Sequence, residues 1–140
     1  MTIQMDRDDL NSFLKAQFPQ VPFIGVDAVA AKTITVRLSV RDEHLRPGGT
    51  VSGPTMFALA DVAIYMAILS RIGPVALAVT TNASIDFMRK PEAGRDLLAE
   101  CRILKLGRVL AVGEALIYSE GGDEPVARCS MTYSIPPVRG

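Results

Sequence analysis

The segment Thr50 to Pro74, TVSGPTMFALADVAIYMAILSRIGP, constrains the fold more than any other part of the chain. It predicts a helix over residues 54–72. Ser52 and Gly53 are suitable cap residues, and Pro54 suits a first helical position, where a missing N–H costs nothing. Gly73 and Pro74 supply the stop. Such a helix runs about 28 Å at a rise of about 1.5 Å per residue. Between Met56 and Leu69 nearly every side chain is apolar, on all faces: Phe57, Leu59, Val62, Ile64, Met66, Ile68. A helix apolar all round is a buried one, so the remaining chain has to wrap it.

Asp61 is the exception, with the small residues Ala58, Ala60 and Ala63 for neighbours. A charge buried without a partner costs several kcal/mol or more. Three readings follow: an ion pair with an arginine, a helix face less buried than its composition suggests, or a catalytic carboxylate in a cleft. The pattern alone leaves all three open.

A length of 140 residues predicts one domain spanning 1–140. Fifteen basic and fifteen acidic residues give zero formal net charge with no basic run, which argues against nucleic acid as a partner. The start, MTIQMDRDDL, lacks the basic and apolar regions of a signal peptide. The longest apolar stretch is the central helix, interrupted by Asp61 and shorter than the roughly 20 residues that span a bilayer. The expectation is a soluble, cytoplasmic protein with no membrane partner. Cys101 and Cys129 fall on the apolar phase of predicted strands and read as core thiols. Two cysteines and one histidine make no metal motif, so no metal or resident cofactor is expected.

Residues 1–20 form a lead-in and a short amphipathic helix over 8–18, with Leu10, Phe13, Leu14 and Phe18 on one face and Asp8 as cap. Residues 32–40, KTITVRLSV, alternate cleanly as a strand with one wet face, and 41–49 is a polar loop. After Gly73 the period becomes two. Strands are predicted at 76–88, 96–106, 109–119 and 125–135, and the tail PPVRG ends the last one. In the first of these, Leu77, Val79, Thr81, Ala83, Ile85 and Phe87 share one side. Short connections imply antiparallel pairing. The result is an α+β domain of about five strands around one helix. One sheet cannot cover all of that helix, which predicts a second subunit.

These residues also carry a resemblance. Ser52-Gly-Pro-Thr-Met-Phe-Ala-Leu-Ala-Asp61 resembles the His-Gly-Gly-x-x-x-x-Leu-Ala-Asp signature of hot-dog-fold acyl-CoA thioesterases, in the PaaI-like (phenylacetate-pathway) branch of the 4-hydroxybenzoyl-CoA thioesterase superfamily. Ala83-Ser-Ile-Asp-Phe-Met-Arg89 is similar to that branch's Ile-Asp-Phe-Leu-Arg-Pro strand end, and Leu106-Gly-Arg and the last Tyr-Ser-Ile strand extend the match over 41–135. Ser52 and Pro54 stand where the signature has His and its second Gly.

The resemblance implies a hot-dog fold, a homodimer that can pair again into a tetramer, and hydrolysis of an acyl-CoA thioester, with coenzyme A as part of the substrate. It implies that Asp61 acts as nucleophile or general base, and that the Gly53 N–H polarises the thioester carbonyl. Asp61 of one chain would face Gly53 of the other. Ser52, Arg46, Tyr65 and Asn82 are candidates for substrate contact, and Arg89, Lys90 and Arg108 for the coenzyme A phosphates. Two other functions fit the same outline: a non-hydrolytic acyl-CoA binding or sensing domain, and a hot-dog hydratase or dehydratase.

Overall fold

The computed structural model describes residues 2–137, so the last three residues of the expected terminating tail lie outside the described residues. In chain order the elements are α1 (Arg7–Gln17), β1 (Ile24–Val29), β2 (Ile34–Leu38), a 3-10 turn (Asp42–His44), α2 (Gly53–Ile72), β3 (Val79–Phe87), β4 (Leu97–Leu106), β5 (Leu110–Ser119) and β6 (Ala127–Ser134). One antiparallel sheet of six strands, ordered β1-β2-β4-β5-β6-β3, wraps α2. This α+β arrangement is the hot-dog fold that the resemblance implies.

α2 begins at Ser52, whose hydroxyl accepts from the Thr55 N–H at 3.4 Å, and ends at Gly73 with φ 92°. The helix has 20 residues, one more than the sequence predicts, because Gly53 already has helical geometry. It is therefore long and apolar enough to cross a bilayer, which corrects the expectation that it falls short. Its apolar side chains are instead packed into the core: Leu59, Ala60, Ala63, Ile64, Met66, Ile68 and Leu69 are fully or almost fully enclosed by the sheet. Gly113 in β5 allows this close packing, since a Cβ there would lie 2.8 Å from Ile64 Cγ2. One stripe of α2 is not covered. Phe57 is 37% exposed, and Asp61 and Val62 are half-buried beside it.

The alternation predicts five strands, and the structure has six. β1 is the addition: Ile24 and Val26 are buried, but a bulge at Asp27 breaks the period after two repeats. Consecutive strands also need not be neighbours, for β3 pairs with β6 at one edge while β4 lies mid-sheet. α1 starts two residues earlier than the spacing predicts if Asp8 caps it. The cap is Asp6, in a reciprocal capping box with Asp9.

The two sheet edges differ. Asn11 of α1 blocks the β1 edge, donating to the Val26 carbonyl at 2.9 Å and accepting its N–H at 2.7 Å. β3 has no such cover among the described residues. Val79 and Phe87 are 55% and 52% exposed, and the outer backbone of the strand is unpaired.

Candidate active site

Asp61 sits on the uncovered stripe of α2, and among the described residues it forms no ion pair. Hydroxyls hold it instead. Thr80 Oγ1 donates to Asp61 Oδ1 at 2.6 Å, and the Tyr133 hydroxyl donates to the same oxygen and lies 2.6 Å from the Asp61 carbonyl oxygen. Thr80 and Tyr133 are directly paired across β3 and β6, so a single register fixes both donors. Burial, then the Asp61 charge, pushes the Tyr133 hydroxyl well above its usual range. It remains a proton donor under all ordinary conditions. Oδ2 accepts no hydrogen bond among the described residues.

The Tyr133 ring is itself held in place. It stacks on Tyr65 with centroids 5.9 Å apart and planes 2° apart, and Phe13 and Phe18 of the N-terminal region meet Tyr65 edge-on. The Tyr65 hydroxyl donates to the carbonyls of Ala76 at 3.0 Å and Val75 at 3.3 Å. Tyr65 is thus a buried support behind Tyr133 rather than a residue facing substrate.

The other half of the site is the start of α2. The loop before it is closed by a bridge between Leu45 and Val51 and by the Ser52 N–H, which donates to the His44 carbonyl at 2.9 Å. His44 is buried against Phe23, and its Nδ1 accepts the Arg41 N–H at 2.9 Å. These bonds fix the position of Gly53. As the first helical residue, Gly53 has an N–H without an acceptor inside the helix, at the positive end of the helix dipole. The Phe87 ring lies over it, and a Cβ at Gly53 would meet Phe87 Cζ at 3.3 Å.

A cleft of about 370 Å³ opens here, lined by Arg46, Thr50, Gly53, Phe87, Arg89 and Lys90 among others. Four of the expected site residues therefore meet in one place: Gly53, Arg46, Arg89 and Lys90. Arg89 is partly engaged, with Glu124 at 3.1 Å and the Pro125 carbonyl at 2.7 Å.

Three expected neighbours are elsewhere. The Ser52 hydroxyl is turned to Thr55, at 2.8 Å from its Oγ1. Asn82 pairs with Thr132 on the outer face of the sheet, away from α2. Arg108 lies beside Ile72 and Pro74, and so at the far end of α2 from Gly53. Those ends are about 28 Å apart at 1.5 Å per residue. Within one chain Arg108 cannot share a ligand phosphate with Lys90. Asp61, eight residues after Gly53, is about 12 Å along the helix from it by the same rise.

Thr80 and Tyr133 are the partners of Asp61 that the sequence reading missed. β3 carries a bulge between Thr80 and Asn82, and the extra residue, Thr81, reverses the phase of the strand. Thr80 rather than Val79 or Thr81 consequently faces the helix. Tyr133 enters the sequence reading in the Tyr-Ser-Ile strand that extends the resemblance, with no role attached.

Residues 48–126, more than half of the chain, match the thioesterase superfamily. The chain belongs to that superfamily. A putative thioesterase of Silicibacter sp. TM1040 is similar over 98% of this chain and 96% of its own, at 60% identity and a TM-score of 0.92. A putative esterase of Pseudomonas aeruginosa is 30% identical over 107 residues, covering 76% of this chain and 78% of its own. A point mutant of the phenylacetic acid degradation protein PaaI of Thermus thermophilus is 29% identical over 89% of this chain and 99% of its own, with a TM-score of 0.70. As a superfamily member the chain is a thioester hydrolase in general outline, and PaaI is among its structural neighbours.

Proposed function

We propose that this thioesterase hydrolyses acyl-CoA thioesters as a homodimer, with each site combining Asp61 of one chain and Gly53 of the other. The observation that carries this reading is the state of Asp61. It is a carboxylate on an apolar helix, held through Oδ1 by two hydroxyls; among the described residues it has no ion-pair partner and Oδ2 is open. An ion-paired structural carboxylate would have the opposite surroundings.

Oδ2 is the atom that either attacks the thioester carbon or takes a proton from water. The Gly53 N–H receives the developing oxyanion, where the helix dipole adds to the stabilisation. Arg89 and Lys90, with Arg46 nearby, give the Gly53 cleft the charge that coenzyme A phosphates require. A hypothetical thioesterase of Streptococcus pneumoniae with this fold was solved with coenzyme A, which supports the fold's capacity to hold it. The separation of Asp61 and Gly53 within one chain, and the open β3 edge beside Asp61, support a site completed by a second copy. A hydratase would need a histidine base. His44 is buried, and its Nδ1 is engaged by a backbone N–H.

Asp61→Asn tests the reading. The amide can still accept from Thr80 and Tyr133 but supplies neither nucleophile nor base. kcat should fall by about 10²-fold or more with KM little changed, while thermal stability holds or rises. Near-normal turnover in a less stable protein would return Asp61 to a structural role. A binding or sensing domain would show no turnover in the parent protein with a panel of acyl-CoAs and a thiol-reactive dye.

A further inference from the structure

The sheet has a notch at the end of the molecule away from Gly53. β2 begins at Ile34, opposite Cys101, so β4 beyond Cys101 is paired only on its β5 side. The β1–β2 turn faces this unpaired run across a cleft of about 550 Å³. Lys32, Arg71, Arg102 and Lys105 line it, with Ile103 and Leu106 among its apolar walls. The chain is neutral overall, so four cations in one cleft are a local concentration and not a general excess. No carboxylate is among the described residues lining it.

Arg71 anchors the floor. It leaves the last turn of α2, and its Nη2 donates to the carbonyls of Ala30, at 3.0 Å, and Ala31. Its Nη1 is buried and has no hydrogen-bond partner among the described residues. Arg102 is paired with Glu114. Lys32 and Lys105 form no ion pair among the described residues. The site therefore offers a guanidinium held by two backbone carbonyls, two ammonium groups without ion-pair partners among the described residues, and unpaired strand backbone. An added peptide strand fits less well, because the bulge at Leu104 breaks the even spacing that strand pairing needs.

We infer that this notch binds a phosphorylated small molecule. Arg71 and Gly53 are 18 residues apart on α2, about 27 Å at 1.5 Å per residue, so within one chain this is a second site. It stands whether or not the Asp61 reading holds. The phosphate can come from the nucleotide end of a coenzyme A thioester or from a separate phosphorylated metabolite.

Calorimetric titration of the full chain at low salt, with inorganic pyrophosphate and with adenosine 3′,5′-bisphosphate, tests the site. At least one probe should bind, and Lys32→Glu/Lys105→Glu should weaken it by about tenfold or more, as loss of charge-assisted contacts requires. Lys15→Glu, an exposed charge on α1 that lines neither this notch nor the Gly53 cleft, should leave that binding unchanged. Preference for the bisphosphate assigns the nucleotide source, and equal affinity assigns a free phosphorylated ligand. If the double charge reversal does not fold by its melting curve, Lys32→Gln/Lys105→Gln is read the same way. Absence of heat with both probes, or binding that survives at the notch variant and is lost in Lys90→Glu, overturns the inference.

Discussion

Asp61 depends on two hydroxyls that approach the same oxygen, which makes Tyr133 and Thr80 positioning residues for the carboxylate. Hydrogen bonds to a charged group contribute about 1.5–3 kcal/mol. Tyr133→Phe should lower kcat by about tenfold, the equivalent of about 1.4 kcal/mol, with a smaller change in KM. Thr80→Val should act in the same direction. Because both donors meet at Oδ1, the double variant should cost less than the sum of the singles. Additive losses in steady-state kinetics would mean that the two hydroxyls serve different ends. Asp61 was legible in the sequence because a lone carboxylate stands out on an apolar helix. Its donors were not, since a tyrosine on a buried strand phase and one threonine of a Thr-Thr pair carry no such contrast.

At the scale of elements, α2 and the later strands were legible because their signals are local: a cap, a glycine, a proline, a period of two. What escaped was set by pairing. The extra residues at Asp27, Thr81 and Leu104 sit in bulges that only the partner strand defines, and each shifts the side-chain phase beyond it. Gly113 is another such residue. It reads as a weak point in a strand, yet it is where α2 approaches the sheet. Gly113→Ala would force Ile64, whose χ1 is stiff, to move from a Cγ2 position 2.8 Å from the new methyl. Urea unfolding should show a loss of about 1–3 kcal/mol, the usual cost of overpacking. An unchanged midpoint would show that the helix shifts freely over β5.

For the whole molecule, the blocked β1 edge and the open β3 edge determine where a second copy can add. Light scattering at micromolar concentration should give at least a dimer. Ala83→Asp, mid-way along β3, should shift it towards monomer and remove hydrolysis together with it. A fully active monomer would exclude a composite site. The core also sets an alkaline limit. Burial, and then the Asp61 charge, pushes the Cys129 thiol up from 9.0 to about 11, and burial raises Cys101 further. At pH values below 9 folded and unfolded thiols alike keep their protons. Above it the unfolded chain releases protons that the folded chain retains, so stability falls as pH rises. Melting temperatures between neutral pH and pH 11 should show the decline, and Cys129→Ala should lessen it, with Cys101 and Tyr133 carrying the rest. The stacked Tyr65–Tyr133 pair has an optical consequence. The chain has no tryptophan and only three tyrosines, two of them face to face behind the carboxylate. Its near-ultraviolet circular dichroism should therefore be dominated by that one coupled pair, so that the spectrum acts as a label-free reporter on Asp61 and on whatever binds beside it.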